Sequence, residues 1–216
     1  SIYNRIIELP ITNIFLATEG KDRMVRVPDA NNLLADKLTA FAPQTIGVPY
    51  RKGNSECGME IMKQLYDIGA LFDKADDMVS LSAVYRTIAE QEASYRDKHF
   101  SVDDILHDTM DHALSICFRK SRNNVEYQVL ERGIKQVSSH IFSEPFHIEE
   151  AILSAAKAYY LVSQIETGSI TIEKYNSRQL ERMRDWSFTD YEYTKLNKLK
   201  KSNPEAFFYL YLAIHR

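Results

Sequence analysis

Cysteine is scarce in this sequence. Its two copies, Cys57 and Cys117, lie far apart in a chain of 216 residues. Two distant cysteines do not make the disulfide framework of a small secreted domain, and neither belongs to a closely spaced pair of the kind that binds zinc. We therefore expect a protein of a reducing compartment, and we place it in the cytoplasm.

Long apolar runs are also missing. The longest candidate, "AFFYLYLAI" at 206–214, is far shorter than the ~20 residues that a membrane-spanning helix needs. The chain does not open with a basic segment followed by an apolar one, which is the pattern of a signal peptide. We therefore expect no membrane partner.

Neither sign of charge is in large excess, because the net charge is −3 at pH 7. A chain with this balance has no global cationic field that would indicate a nucleic-acid or acidic-membrane partner. One local cluster could still contact a nucleic-acid backbone, although such runs are more often the solvated ends of helices. Its members are Lys195, Lys198, Lys200 and Lys201, beside Tyr191 and Tyr193.

The only clear β signal lies near the start of the chain. Alternating, β-branched stretches at 5–9, 13–18 and 24–27 predict two or three short strands, and "EGKD" at 19–22 predicts a turn. The composition, 44% apolar and 26% charged, is that of a globular protein. We predict an α+β, mainly α fold, in which a helical body lies behind a small N-terminal β edge.

The rest of the chain has helical periodicity. Ser101 and Asp104 form a capping-box pattern, and Asn203 with Pro204 predicts the start of the last helix. Residues 44–58 contain three of the seven glycines and are predicted to be a mobile loop. We divide the chain into a strand-and-helix part, 1–98, and a helical part, 99–216.

Lys37 stands out in the first predicted helix. On a helical wheel it falls near the centre of the apolar face formed by Leu33, Leu34, Leu38 and Phe41. An ammonium group in an apolar setting is costly unless its stem reaches solvent or an anion pairs with it. The pattern leaves both alternatives open.

This region resembles a known family. "LLADKLTAF" at 33–41, followed by "KQLYDIGALF" at 63–72, is similar to two motifs of the AbiEii/AbiGii nucleotidyltransferase-like toxins. The resemblance covers about residues 27–96, and the closing segment 197–211 is also similar. It implies a nucleotidyltransferase-like fold and the toxin of a type IV toxin–antitoxin or abortive-infection system.

The resemblance also implies roles for residues. Lys37 would contact the triphosphate of a nucleoside triphosphate (NTP), and Asp67 would position Lys37 or the incoming substrate. The implied cofactor is Mg²⁺, and the implied partners are tRNA or another RNA as acceptor and a cognate antitoxin. For Asp67 the simpler alternative is a surface pair with Lys63, one turn earlier.

The family's glycine-rich turn and Asp-x-Asp metal motif are absent from this sequence. Glu8, on the first predicted strand, is the one candidate for a further metal ligand. The chain begins with serine, directly in a strand-like run. We therefore expect it to be the C-terminal part of such a protein and to be inactive alone, so whether it is an enzyme stays open.

Two other groups deserve a structural test. Arg51 and Lys52, in the glycine-rich loop, are candidates for binding phosphate or RNA, the alternative being ordinary loop charge. One helix face has carboxylates and imidazoles at metal-ligand spacing, although such a face is usually just solvated. Its members are Asp104, His107, Asp108, Asp111 and His112.

Two rival functions remain beside the transferase. One is a helical interaction module without catalysis, whose charges serve solubility and partner choice. The other is a degenerate nucleotidyltransferase that binds RNA or an antitoxin and transfers nothing.

Overall fold

A computed structural model gives the structure of residues 2–12, 23–119, 124–141 and 145–215. Within these ranges it has two small antiparallel sheets and a body of helices, so the predicted α+β, mainly α fold is confirmed. The predicted strand at 13–18 and the turn at 19–22 lie outside the described residues.

The first sheet pairs β1 (Ile6–Pro10) with β2 (Met24–Pro28), and the second pairs β3 (Arg51–Lys52) with β4 (Ser55–Glu56). The longer helices are α1 (Ala30–Ala40), α2 (Gly58–Phe72), α3 (Met78–Ser94), α4 (Val102–Cys117), α5 (Asn124–Ser138), α6 (Ile148–Thr167) and α9 (Pro204–Ile214). Short helical turns are α7 (Gln179–Arg182), the 3₁₀-helix Thr194–Lys198 and α8 (Leu199–Ser202).

The helix ends follow the local signals of the sequence. The Ser101 hydroxyl accepts from the backbone of Asp104, whose carboxylate accepts from the Ser101 backbone, so the predicted capping box is confirmed. Gly168 ends α6 with a left-handed backbone, and the Asn203 side chain caps α9 ahead of Pro204. Between α1 and α2, where the glycines predict a loop, the structure adds the β3–β4 hairpin, turning at Gly53 with φ +59°.

One hydrophobic core runs through the described helices. α1 packs on α2 and α3, α2 also packs on α5 and α6, and α6 packs on α4 and α9. Buried side chains from both predicted parts of the chain, such as Leu65 and Ile152, belong to the same cluster. The division at residue 98 stays a prediction. No helix among the described residues is long and apolar enough to span a membrane.

Glycine sets how closely α2 approaches α5. A Cβ added at Gly133 would lie 2.2 Å from the Gly58 carbonyl oxygen, and one added at Gly58 would lie 2.3 Å from the Val129 carbonyl oxygen. Both separations are far below van der Waals contact, so neither helix has room for a larger residue. This crossing fixes the position of α2, which carries Asp67.

We expect Gly133→Ala to destabilise the protein by about 1–3 kcal/mol through overpacking, although alanine favours an isolated helix. Urea unfolding followed by circular dichroism measures the change. Gln136→Ala, at an exposed position of the same helix, serves as the control and should stay within about 0.5 kcal/mol of the parent. Equal stability of Gly133→Ala and the parent would contradict the close crossing.

Candidate functional site

Lys37 lies in the last turn of α1, at the crossing with α2. Asp29 caps the start of this helix, because its carboxylate accepts from the backbone N–H of Asn32. Its neighbours Leu34 and Leu38 are fully buried in the core. Lys37 therefore emerges between buried leucines, and its side chain keeps only 27% of its surface exposed.

The Lys37 ammonium group contacts two side chains of α2. Its Nζ lies 3.0 Å from Oδ2 of Asp67, and it donates a hydrogen bond of 3.2 Å to Oε1 of Gln64. Gln64 and Asp67 are three residues apart, so they share a face of the helix. Of the two alternatives for Lys37, solvent or an anionic partner, the structure shows the anionic partner. Asp67 therefore pairs with Lys37, and Lys63 is exposed.

This geometry leaves the amine able to bind one more group. An ammonium group has three N–H donors, of which Asp67 and Gln64 take two. The third can reach an anion such as a phosphate oxygen. Because the amine is partly sheltered from water, its charge acts more strongly on that anion than it would in bulk solvent.

Two further titratable groups lie beside the amine. Burial raises the pKa of the Asp36 carboxyl group, and the positive charge of Lys37 opposes this rise only in part. Burial also raises the pKa of the Tyr3 phenol, with Asp36 adding to the effect and Lys37 opposing it. Tyr3 precedes β1, so Lys37 lies on the side of the molecule where the chain enters its N-terminal strands.

The structure separates the two loop cations. Lys52 and Asp36 of α1 line the same cavity, of about 340 Å³. Arg51 pairs with Glu56 across the β3–β4 hairpin at 3.0 Å. The phosphate-binding roles of Arg51 and Lys52 stay predictions.

Glu8 lies on an exposed position of β1, opposite Arg26 of β2. Within the described residues, no three histidine, cysteine or carboxylate side chains come together as they would to hold a metal ion. The residues described here therefore do not provide the Mg²⁺ site that the resemblance implies, and a metal-binding role for Glu8 stays a prediction.

The helix face with carboxylates and imidazoles lines a cavity of about 720 Å³, and several of its members have separate structural roles. Asp104 caps α4, and His107 contacts Glu166 at 3.0 Å. Asp108 is buried, and its Oδ2 accepts from the backbone of Gln44 and of Thr45 at 2.9 Å each. Asp108 therefore fastens the loop after α1 to α4.

A family comparison bears on this site. The sequence model described as "Nucleotidyl transferase AbiEii toxin, Type IV TA system" matches residues 1–156. The chain belongs to this family. Searches of curated proteins and of solved structures each gave no significant match. AbiEii membership implies a nucleoside triphosphate substrate, a divalent metal and an antitoxin partner, and the matched span includes both Lys37 and Asp67.

Gln64 was not among the residues that the sequence pattern predicts for the AbiEii site. Its contact with Lys37 is a direct consequence of helical spacing, because Gln64 precedes Asp67 by three residues. Once Asp67 is placed opposite Lys37, this spacing is the sequence signal that could have identified Gln64.

His112, buried beside Asp108 in α4, makes the stability of the fold depend on pH. Burial opposes its charge, but hydrogen bonding and attraction to Asp108, with Glu126 adding, raise its pKa above the ordinary 6.5. Its Nδ1 donates to the backbone carbonyl oxygen of Asp108 at 2.6 Å and lies 2.8 Å from the carboxylate Oδ1 of the same residue, and its ring contacts Tyr50. The folded state therefore binds this proton more tightly than the unfolded state does.

We expect the stabilisation from protonated His112 to be complete below about pH 6.5 and to be lost as the pH rises through the higher folded-state value. Urea unfolding of the parent and of His112→Gln, between about pH 6 and pH 8, measures it. The parent should lose stability relative to the variant as pH rises. A parallel pH dependence of the two proteins would show that His112 is not responsible.

Proposed function

We propose that this AbiEii-family chain holds the triphosphate of an NTP with the ammonium group of Lys37, and that the protein transfers a nucleotide to tRNA or another RNA. Asp67 and Gln64 are positioning residues that keep the Lys37 amine at the α1–α2 crossing. The supporting observation is that Asp67 Oδ2, at 3.0 Å, and Gln64 Oε1, at 3.2 Å, take two of the three N–H donors of Lys37 and leave one for a phosphate oxygen. We place the protein in the cytoplasm, where its antitoxin and RNA would meet it.

Transfer also needs the Mg²⁺-binding carboxylates of the family, and the described ranges provide no such group. We therefore expect the 216-residue chain by itself to bind triphosphate without transferring nucleotide. The same observation favours one rival function, a degenerate nucleotidyltransferase that binds RNA or antitoxin only. A transfer assay on the protein as its gene encodes it distinguishes the transferase from the degenerate nucleotidyltransferase, because only the transferase would label an acceptor.

We expect Lys37→Ala to weaken NTP binding by the chain about tenfold or more, since a hydrogen bond between charged groups contributes about 1.5–3 kcal/mol. Isothermal titration calorimetry with each of the common nucleoside triphosphates measures the affinity. Lys63→Ala, which removes an exposed lysine from the neighbouring helix α2, is the matched control and should bind like the parent.

The same pair of variants tests transfer in the protein as encoded, incubated with Mg²⁺, labelled nucleoside triphosphate and a tRNA pool. Loss of a group that stabilises transition-state charge typically lowers the rate by about 10²–10³-fold. We expect a reduction of this size for Lys37→Ala and none for Lys63→Ala. Folding is checked by thermal unfolding, which should change little because a partly exposed ion pair contributes at most about 1 kcal/mol. Unchanged transfer by a folded Lys37→Ala protein would remove Lys37 from the mechanism.

A further inference from the structure

A second concave surface lies where residues beyond the span matched by the AbiEii family model meet the ends of α4 and α6. The 3₁₀-helix Thr194–Lys198 and α8 run together along the body of the protein, opposite the end of α4 and the start of α6. With those two ends they enclose a cavity of about 690 Å³. We call this surface the basic cleft, and its charged residues are Arg119, Glu149, Lys195, Lys198 and Lys201.

The two short helices are held so that their lysines face the cleft. Leu196 and Leu199 are buried in the core, three residues apart. The Asn197 side chain accepts from the backbone N–H of Phe188 and donates to its carbonyl oxygen, at 2.8 and 2.9 Å. With these anchors buried, the exposed positions 195, 198 and 201 recur at intervals of three and share one side.

Lys200 is separate from the other lysines of the predicted basic run. Its Nζ donates to the carbonyl oxygens of Arg184 and Trp186, at 2.6 and 2.9 Å. Lys200 therefore fastens the preceding loop to α8. The run of four lysines thus divides into one structural lysine and three that line the basic cleft.

Charge in the basic cleft is strongly one-sided. Among the described residues, four cationic side chains line it, and the one carboxylate there, Glu149, already pairs with Arg119. The whole chain has a net charge of −3, so a general cationic field does not account for this concentration. A row of ammonium groups in a concavity fits a ligand with a row of negative charges.

An exposed aromatic side chain precedes the 3₁₀-helix that carries Lys195 and Lys198. Tyr191 is 93% exposed, and its carbonyl oxygen accepts from the hydroxyl of Thr194, the first residue of the 3₁₀-helix. By contrast, the Tyr193 ring packs against Phe188. An exposed ring beside cations is suited to stack on an unpaired base while the lysines contact the backbone.

We propose that the basic cleft, with Lys195, Lys198, Lys201 and Tyr191, binds a single-stranded stretch of the RNA acceptor. This proposal rests on the proposed function for the identity of the acceptor, and it places the RNA on a surface distinct from the Lys37 pair. Phosphates contact the ammonium groups, and a base stacks on Tyr191. An acidic membrane would also attract lysines, but a concavity suits a strand better than it suits a flat bilayer.

Fluorescence anisotropy of the full chain with a short labelled single-stranded RNA, without NTP, tests the proposal. Each phosphate contact to a single strand contributes about 0.7 to the slope of log affinity against log salt concentration. We expect Lys198→Gln combined with Lys201→Gln to weaken binding at least tenfold and to lower that slope by about 1.4. Lys74→Gln combined with Lys135→Gln removes two exposed lysines elsewhere and should leave both values unchanged.

Tyr191→Ala tests the stacking role. It should weaken single-stranded RNA binding about tenfold and leave binding of a blunt RNA duplex unchanged, because paired bases are not available to stack on a side chain. Equal loss on both RNAs would contradict a stacking role.

Vesicles containing phosphatidylserine provide the membrane comparison. We expect the parent and the Lys198/Lys201 double variant to sediment equally with them. If the double variant lost vesicle binding while it kept RNA binding, the basic cleft would be a membrane contact and the proposal would be overturned. The binding assay needs neither NTP nor nucleotide transfer, so failure of the proposed function would leave this result intact.

Discussion

The pairing of one ammonium group with one carboxylate across two helices is the contact around which the candidate site is built. Lys37 emerges between buried leucines of α1, where an unpaired charge would be unfavourable, and Asp67 of α2 lies 3.0 Å from its amine. The contact requires α1 and α2 to cross at a fixed place. Both helices carry the residues that the AbiEii resemblance assigns to the site, so the position of their crossing decides whether the site exists.

Other parts of the structure serve that crossing. Gly58 and Gly133 let α2 lie against α5 at a distance that no larger residue would allow. At the other end, buried Asp108 of α4 accepts hydrogen bonds from Gln44 and Thr45 and so fixes the chain just after α1. α1 and α2 are therefore each restrained from outside, and the partly exposed Lys37–Asp67 pair does not have to hold them together. It is free to serve binding instead.

Local signals in the sequence predicted much of the fold. The capping box at Ser101 and the Asn203–Pro204 start of α9 depend on neighbouring residues, and both were confirmed. The β3–β4 hairpin was missed because two-residue strands leave no periodic pattern. The apolar residues around Lys37 indicated that its ammonium group must either reach solvent or pair with an anion. Only the family resemblance pointed to Asp67. The contact of Gln64 with Lys37 and the contacts of Asp108 with the loop after α1 depend on long-range packing, which periodicity does not encode.

A double-mutant cycle on NTP affinity tests the central claim most directly, that Asp67 acts on the triphosphate through the Lys37 ammonium group. The cycle compares Asp67→Asn in the parent and in the Lys37→Ala background, with calorimetry as the readout. We expect Asp67→Asn to weaken NTP binding several-fold when Lys37 is present and not to weaken it when position 37 is alanine. Equal weakening in both backgrounds would show that the two residues act independently, and the account would be wrong.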